Sequence, residues 1–331
     1  MLPEPSEDEV LALGTRLAGR PVVGVRPVRI GGNNRIWRLD CDGATFALKV
    51  YPPQEEDPRD RLGVEWRALT FLAESGIDSV PRPVAREGHA ALHEWIEGTA
   101  IGDPSPDDID RLADFLLVLQ GLREGATGIG PASAACLAPA DAVVQAAERL
   151  GRLTEVCDDV PELEGFLQQR VVPAMDGIVT RVFQAFPGAA SRLPEDRLAL
   201  SPSDFGFHNA LRRPDGRLAF LDFEYFGWDD PAKAIADVML HGGMDLSPSL
   251  GERFRDRVAP AFAVRDPDFA HRLDVLYPLY GLIWCLILLN EFRADRWQRR
   301  NLGGRVPDAE AARARQLARA KARLETLWKT H

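Results

Sequence analysis

The stretch Leu200-Ser201-Pro202-Ser203-Asp204-Phe205-Gly206-Phe207-His208-Asn209-Ala210-Leu211-Arg212-Arg213-Pro214-Asp215-Gly216-Arg217-Leu218-Ala219-Phe220-Leu221-Asp222-Phe223-Glu224 decides how the chain is read. Ser201-Pro202-Ser203 opens a loop that carries Asp204 and Asn209. Residues 210–212 predict a short strand. Pro214-Asp215-Gly216 is a hairpin signal, because Pro presets φ and Gly accepts a positive φ. Residues 217–221 predict the returning strand, with Asp222 at its end. Such a hairpin carries Asp222 back beside the loop of Asp204 and Asn209, so three oxygen-bearing side chains converge at one edge. Hard cations such as Mg²⁺ take oxygen ligands, and a lone carboxylate can accept a proton.

This pattern resembles the catalytic core of kinases. The shared features are a loop Asp, an Asn five positions later, and an Asp-Phe-x after a hairpin. The run Tyr225-Phe226-Gly227-Trp228-Asp229-Asp230-Pro231 is similar to the small-molecule kinases of the aminoglycoside phosphotransferase and choline kinase-like family. The resemblance implies an α+β, bilobal, protein-kinase-like fold. A small N-terminal antiparallel sheet lobe (1–93) would bind the nucleotide and a linker (94–98) would follow. A larger, mainly helical lobe (99–331) would carry the catalytic loop and the acceptor site. It also implies Asp204 as the base, with Asn209 and Asp222 as Mg²⁺ ligands.

Three positions depart from the family pattern. Glu224 stands where the third motif residue is usually Gly, and Pro202 where a His usually precedes the base by two residues. Ala234 stands where an Asp usually follows the Asp-Pro-Ala motif. His208, beside Asn209, is a candidate substitute for the missing His. Asp237 is a candidate brace for the loop of Asp204, with a helix cap or a surface Asp as the other readings.

Outward from this core, the first third of the chain reads as sheet. Ser6 with Glu9 forms a capping-box pattern ahead of Val10, Leu11, Leu13 and Leu17, so a short helix is expected. Residues 22–30, 35–39 and 45–51 predict three antiparallel strands, joined by Gly31-Gly32-Asn33-Asn34 and Asp42-Gly43. Gly31 and Gly32 leave backbone amides free to approach phosphates, although Gly-Gly between strands is ordinarily only a turn. Lys49 resembles the third-strand Lys of kinases; otherwise a strand Lys is a solvated edge residue. Residues 59–75 predict a helix, with Leu62, Trp66, Leu69 and Leu72 at helical spacing. Glu65 on this helix is the candidate partner of Lys49, in preference to Glu74 near the helix end. Residues 84–85 and 90–93 read as two more strands. By family position, backbone groups from Glu94 to Ile96 would read the adenine, and Gly98 suits a bend.

The remainder reads as helices over 107–122, 140–153, 162–186, 231–241, 247–263, 266–291 and 308–329, with a loop over 125–139. The apolar run 275–289 contains Pro278 and Gly281 and is short for a membrane span, so it reads as a buried helix. Arg299-Arg300 reads as a solvated turn.

Composition narrows the function. Of 331 residues 45% are hydrophobic, enough for a sizeable core, and the net charge of −10 argues against a general nucleic-acid binder. Cys41, Cys136, Cys157 and Cys285 form no C-x-x-C pair, and the N-terminus lacks a signal-peptide pattern, so a reducing, cytoplasmic setting is expected. The six His form no H-E-x-x-H and no G-x-S-x-G occurs, which removes the zinc hydrolase and the serine hydrolase patterns. The expectation is an ATP- and Mg²⁺-dependent phosphotransferase acting on a hydroxyl of a small molecule such as an aminoglycoside, sugar or amino alcohol. The alternative is a non-catalytic nucleotide-binding or regulatory protein on the same fold, which Pro202 and Glu224 favour. Glu224, Asp229 and Asp230 lie near the presumed transfer site. Glu224 and Asp229 are candidates either to attract an amine or to serve as structural partners.

Overall fold

The computed structural model describes residues 5–28, 35–55, 57–157, 160–300 and 308–330. Helix α1 (Glu7–Ala18) starts at the Ser6–Glu9 capping box, in which the Glu9 carboxylate accepts the Ser6 N–H at 2.7 Å. Strands β1 (Val22–Val28), β2 (Arg35–Cys41) and β3 (Ala44–Val50) follow, then helix α2 (Arg61–Glu74) and strands β4 (Pro83–Glu87) and β5 (Ala90–Glu94). The five strands form one antiparallel sheet in the order β1-β2-β3-β5-β4. Its inner face packs on α1 through Val10, Trp37, Leu39, Leu48 and Leu92. The small sheet lobe is as the alternating pattern predicts, with β4 and β5 completing it.

After β5 the chain crosses to the larger lobe. Strand β6 (Thr99–Ala100) pairs with β8 (Ala210–Arg212), and β8 pairs with β9 (Leu218–Phe220). Gly98 lies in this crossing, and the reason for it is contact rather than a bend. A Cβ there would stand 2.9 Å from both the Arg212 carbonyl oxygen and the Leu211 Cβ. The crossing is also tied back to the sheet, because Arg38 on β2 pairs with Glu97 at 3.0 Å and lies over the Trp95 ring.

The larger lobe holds helices α3 (Pro106–Gly121), α4 (Pro139–Thr154), α5 (Pro161–Phe166), α6 (Val172–Ala185), α7 (Pro231–Leu240), α8 (Pro248–Ala263), α9 (Phe269–Leu288), α10 (Ala294–Arg300) and α11 (Ala309–Thr330). Helix α9 is its axis and touches α4, α6, α7, α8 and α11. The segment Phe269–Phe292 is apolar enough to cross a membrane, yet 72% of its most apolar window is buried inside the fold, as expected for a core helix. Strands β7 (Ala199–Ser201) and β10 (Gly227–Asp229) pair with each other beneath the catalytic-type loop.

The structure differs from the sequence reading at two places. The helix expected over 162–186 is interrupted by a π-helical turn at Leu167–Val171. Pro173 has no N–H and its ring crowds the carbonyl four residues back, so the Val172 N–H bonds Leu167 O instead. Arg299 and Arg300 end a short helix rather than lie in a turn.

The close approach at the crossing generates a prediction. Gly98→Ala should destabilise the protein by about 1–3 kcal/mol, because the obstructing atoms belong to backbone and to a Cβ that cannot rotate away. Denaturant unfolding should show an earlier midpoint with an unchanged slope, and an unchanged midpoint would contradict the contact.

Candidate functional site

Lys49 occupies the penultimate position of β3, opposite Ile36 and Ala91 in the sheet register. Its stem is enclosed, and its ammonium meets Glu65 at 2.6 Å, Asp222 at 2.6 Å and Glu224 at 3.4 Å. Glu65 reaches it from α2, where helical spacing turns Glu65, Ala68, Leu69 and Leu72 inward together. Glu74 is exposed at the end of that helix, so Glu65 is the partner. Both Glu65 oxygens are used: Tyr51 donates its hydroxyl to one at 2.6 Å and the Phe223 N–H bonds the other at 3.1 Å. One turn earlier on α2, Arg61 donates to Glu224 at 2.7 Å and to Asp57. Arg59 also pairs with Asp57. Three cations therefore face four carboxylates, an excess of one negative charge when every group is ionised.

The electrostatics follow from burial. Burial alone would lower the Lys49 ammonium, but Asp222 and Glu65 hold it well above its ordinary range. Burial pushes the Asp222 carboxyl up to about 7 with help from Glu224 and Glu65, against the pull of Lys49. The backbone at Asp222 is left-handed, with φ 64°, and so is Ser203 immediately before Asp204, with φ 68°. Such conformations cost about 1–3 kcal/mol in non-glycine residues and gather where side-chain aim matters.

The hairpin of β8 and β9 delivers Asp222 as the Pro214-Asp215-Gly216 turn predicts, with Gly216 at φ 82°. The Leu221 N–H bonds the Asn209 carbonyl at 2.8 Å, and the Asn209 side-chain amide donates to the Asp204 carbonyl at 2.9 Å. These bonds join Asp222, Asn209 and the Asp204 loop in series. The Asn209 side-chain oxygen takes no part in them and remains available as an acceptor. Asp204 itself accepts two imidazole bonds on one oxygen, from His208 at 3.0 Å and from His241 at 3.1 Å. Burial would raise its carboxyl, yet the bonds from His208 and His241 hold it far below the usual carboxylate range.

The remaining candidates sort cleanly. Glu94 is exposed and its N–H is spent on the Arg82 carbonyl at 2.9 Å, while Ile96 is buried at the start of the crossing. Gly31 and Gly32 lie outside the described residues. Glu224, Asp229 and Asp230 are structural partners. Glu224 pairs with Arg61, Asp229 with Lys233 at 3.1 Å, and Asp230 with Arg272 at 3.0 Å while capping α7. Asp237 accepts from Lys233 and from Trp284, and it is His241, one turn further along, that reaches Asp204. The sequence reading did not include His241, Tyr51 or Arg61, since nothing local marks them.

Oxygen atoms of Glu65, Asp222 and Glu224 lie within 4.8 Å of one another. Asn209 is joined through its carbonyl to the Leu221 N–H next to Asp222, and the donor set is hard and anionic, which fits Mg²⁺ and not a soft metal.

Comparison with known proteins agrees with this geometry. The sequence model of the phosphotransferase enzyme family (APH) matches residues 24–270. Similar solved structures include spectinomycin phosphotransferase APH(9)-Ia in complex with ADP and spectinomycin, at 10% identity over 97% of this chain and 99% of that one, TM-score 0.63. A choline kinase from Cryptosporidium parvum Iowa II has 11% identity over 97% and 96%, TM-score 0.63. Macrolide 2'-phosphotransferase MphH from Brachybacterium faecium has 19% identity over 91% and 99%, TM-score 0.56. At these identities the structural likeness establishes the fold. No curated protein sequence matches.

The raised Asp222 carboxyl sets a pH dependence. Its folded-state affinity for the proton exceeds that of the unfolded chain, so the folded state binds more protons from about pH 4 to about pH 7. The stability it supplies is full below that window and is lost as pH rises through it. Asp222→Asn, which mimics the protonated form, should therefore gain on the parent by roughly 2–4 kcal/mol between pH 4 and pH 8 in metal-free buffer. A stability difference that stays flat with pH would contradict the burial of that charge.

Proposed function

This chain belongs to the phosphotransferase enzyme family, and from that premise we propose that it moves the γ-phosphoryl group of ATP to a hydroxyl of a small molecule. The observation that carries the proposal is the meeting of Lys49, Glu65 and Asp222 across the two lobes, with Asp204 on the loop that Asn209 ties to Asp222. We assign residues 1–93 to the nucleotide lobe, 94–98 to the linker and 99–331 to the acceptor lobe. Backbone groups of Glu94 and Ile96 would face the adenine, and the amides of Gly31 and Gly32 the phosphates.

Lys49, aimed by Glu65, binds the α- and β-phosphate oxygens. Asn209 and Asp222 hold Mg²⁺, whose charge offsets that of the phosphates. Asp204 accepts a hydrogen bond from the attacking hydroxyl on the oxygen that the imidazoles leave open. The hydroxyl oxygen forms its bond to phosphorus as the bond to the ADP oxygen breaks, and the proton passes to Asp204. In a loose transition state the proton moves late, so orientation of the hydroxyl by Asp204 supplies most of the acceleration. The non-catalytic reading drew on Pro202 and Glu224. Against it, Asp204 keeps two donors without a His at 202, and Glu224 is satisfied by Arg61. The four cysteines are buried thiols with no disulfide among the described residues, which supports a cytoplasmic setting.

A panel of aminoglycosides, sugars and amino alcohols incubated with ATP and Mg²⁺ should yield one product heavier by a single phosphoryl group. Asp204→Asn should lower that transfer by at least about a hundredfold while calorimetry shows nucleotide affinity unchanged. Retained turnover would remove Asp204 from its role. Asp222→Ala should weaken binding of Mg·ATP by at least about tenfold, and affinity equal to the parent's would contradict the metal assignment.

A further inference from the structure

Both supports that the family pattern offers the catalytic-type Asp are missing from this chain, where Pro202 and Ala234 stand in their places. Asp204 is nevertheless held. We infer that His208 and His241 act together as positioning residues for Asp204, a paired-imidazole support that stands in place of both. The inference rests on the reading of Asp204 as the group that receives the acceptor hydroxyl.

The hydrogen-bond inventory fixes the chemistry. Both Nε2 atoms point at the same oxygen of Asp204, at 3.0 Å and 3.1 Å. An ionised carboxylate only accepts, so each Nε2 carries its proton. For His241 the second nitrogen agrees independently, because Nδ1 accepts the Gly243 N–H at 2.9 Å and must present a lone pair. The Nδ1 of His208 is buried without a partner, so no acceptor there draws the proton away from Nε2. The bond from Gly243 also argues against a cation held by His241 in this trio, since a protonated Nε2 cannot ligate a metal.

Packing then makes the pair rigid. The two rings stack at 3.8 Å with 5° between their planes, and Trp284 closes on His241 edge-on at 4.5 Å. Asp237 fixes that indole through its N–H at 2.8 Å. From α11, Arg323 donates to the Leu240 carbonyl and Arg319 to the Gly242 carbonyl, on either side of His241. With one Asp204 oxygen saturated by two donors, only the other faces the reaction, and the carboxylate keeps one orientation. Holding a reacting group in this way is worth up to about a hundredfold in rate for a displacement of 1 Å.

The test has two arms. In protein carrying ¹⁵N-labelled histidine, long-range proton–nitrogen spectra should show both rings in the Nε2–H form, and Asp204→Ala should shift the nitrogen signals of both. An Nδ1–H ring, or signals indifferent to Asp204→Ala, would overturn the assignment. In the second arm, phosphate release from Mg·ATP to water is measured for substitutions at 241. His241→Gln, whose amide nitrogen stands near the place of Nε2, should keep most of the rate. His241→Phe, which preserves the stack without a donor, should lose about tenfold or more in kcat with KM for ATP unchanged. Equal rates for Gln and Phe would show that the ring only packs, and would also overturn it. A parent protein that releases no phosphate and phosphorylates no acceptor speaks against the proposed transfer itself; the spectra then decide whether the two rings hold Asp204.

Discussion

A buried ammonium joins the two lobes. Lys49 comes from the sheet, Glu65 from α2 and Asp222 from the end of a hairpin 173 residues further along the chain. Removing these charges from water costs several kcal/mol each, and their attraction repays that cost only with good geometry. The cluster is therefore a poor stabilising device and a good means of specifying position. It fixes β3 against α2 and both against Asp222, and it leaves one negative charge where a divalent cation and a phosphate chain would sit. Lys49 in this structure thus holds the place where those charges would be shared.

The lower lobe carries the fixed position onward through hydrogen bonds rather than burial alone. Leu221, Asn209 and Asp204 form one series, and the aromatic stack at the end of α7 holds it from behind. Asp229, Asp230 and Asp237 look like free acids near a reaction centre, but each has a basic or N–H partner within the helical lobe.

Much of this was legible in the sequence because the signals are local. The Pro214-Asp215-Gly216 turn dictates a hairpin, Ser6 and Glu9 dictate a helix start, and helical spacing puts Glu65 on the inner face of α2. Order along the chain then picked out Lys49, Asp204, Asn209 and Asp222. What escaped is non-local or too short for a period. Strands β6, β7 and β10 have two or three residues each, which gives alternation nothing to repeat. His241 contacts Asp204 from 37 residues away and carries no mark of it. Gly98 was legible as special, but its cause is a carbonyl and a Cβ contributed by another strand.

In the proposed nucleotide complex the phosphates lie against Lys49, where a lysine-reactive ATP acyl-phosphate probe should react. Labelling followed by peptide mass spectrometry should find the adduct on Lys49, abolished by excess Mg·ATP. Modification spread over other lysines, or an adduct on Lys49 that excess Mg·ATP does not suppress, would contradict the account.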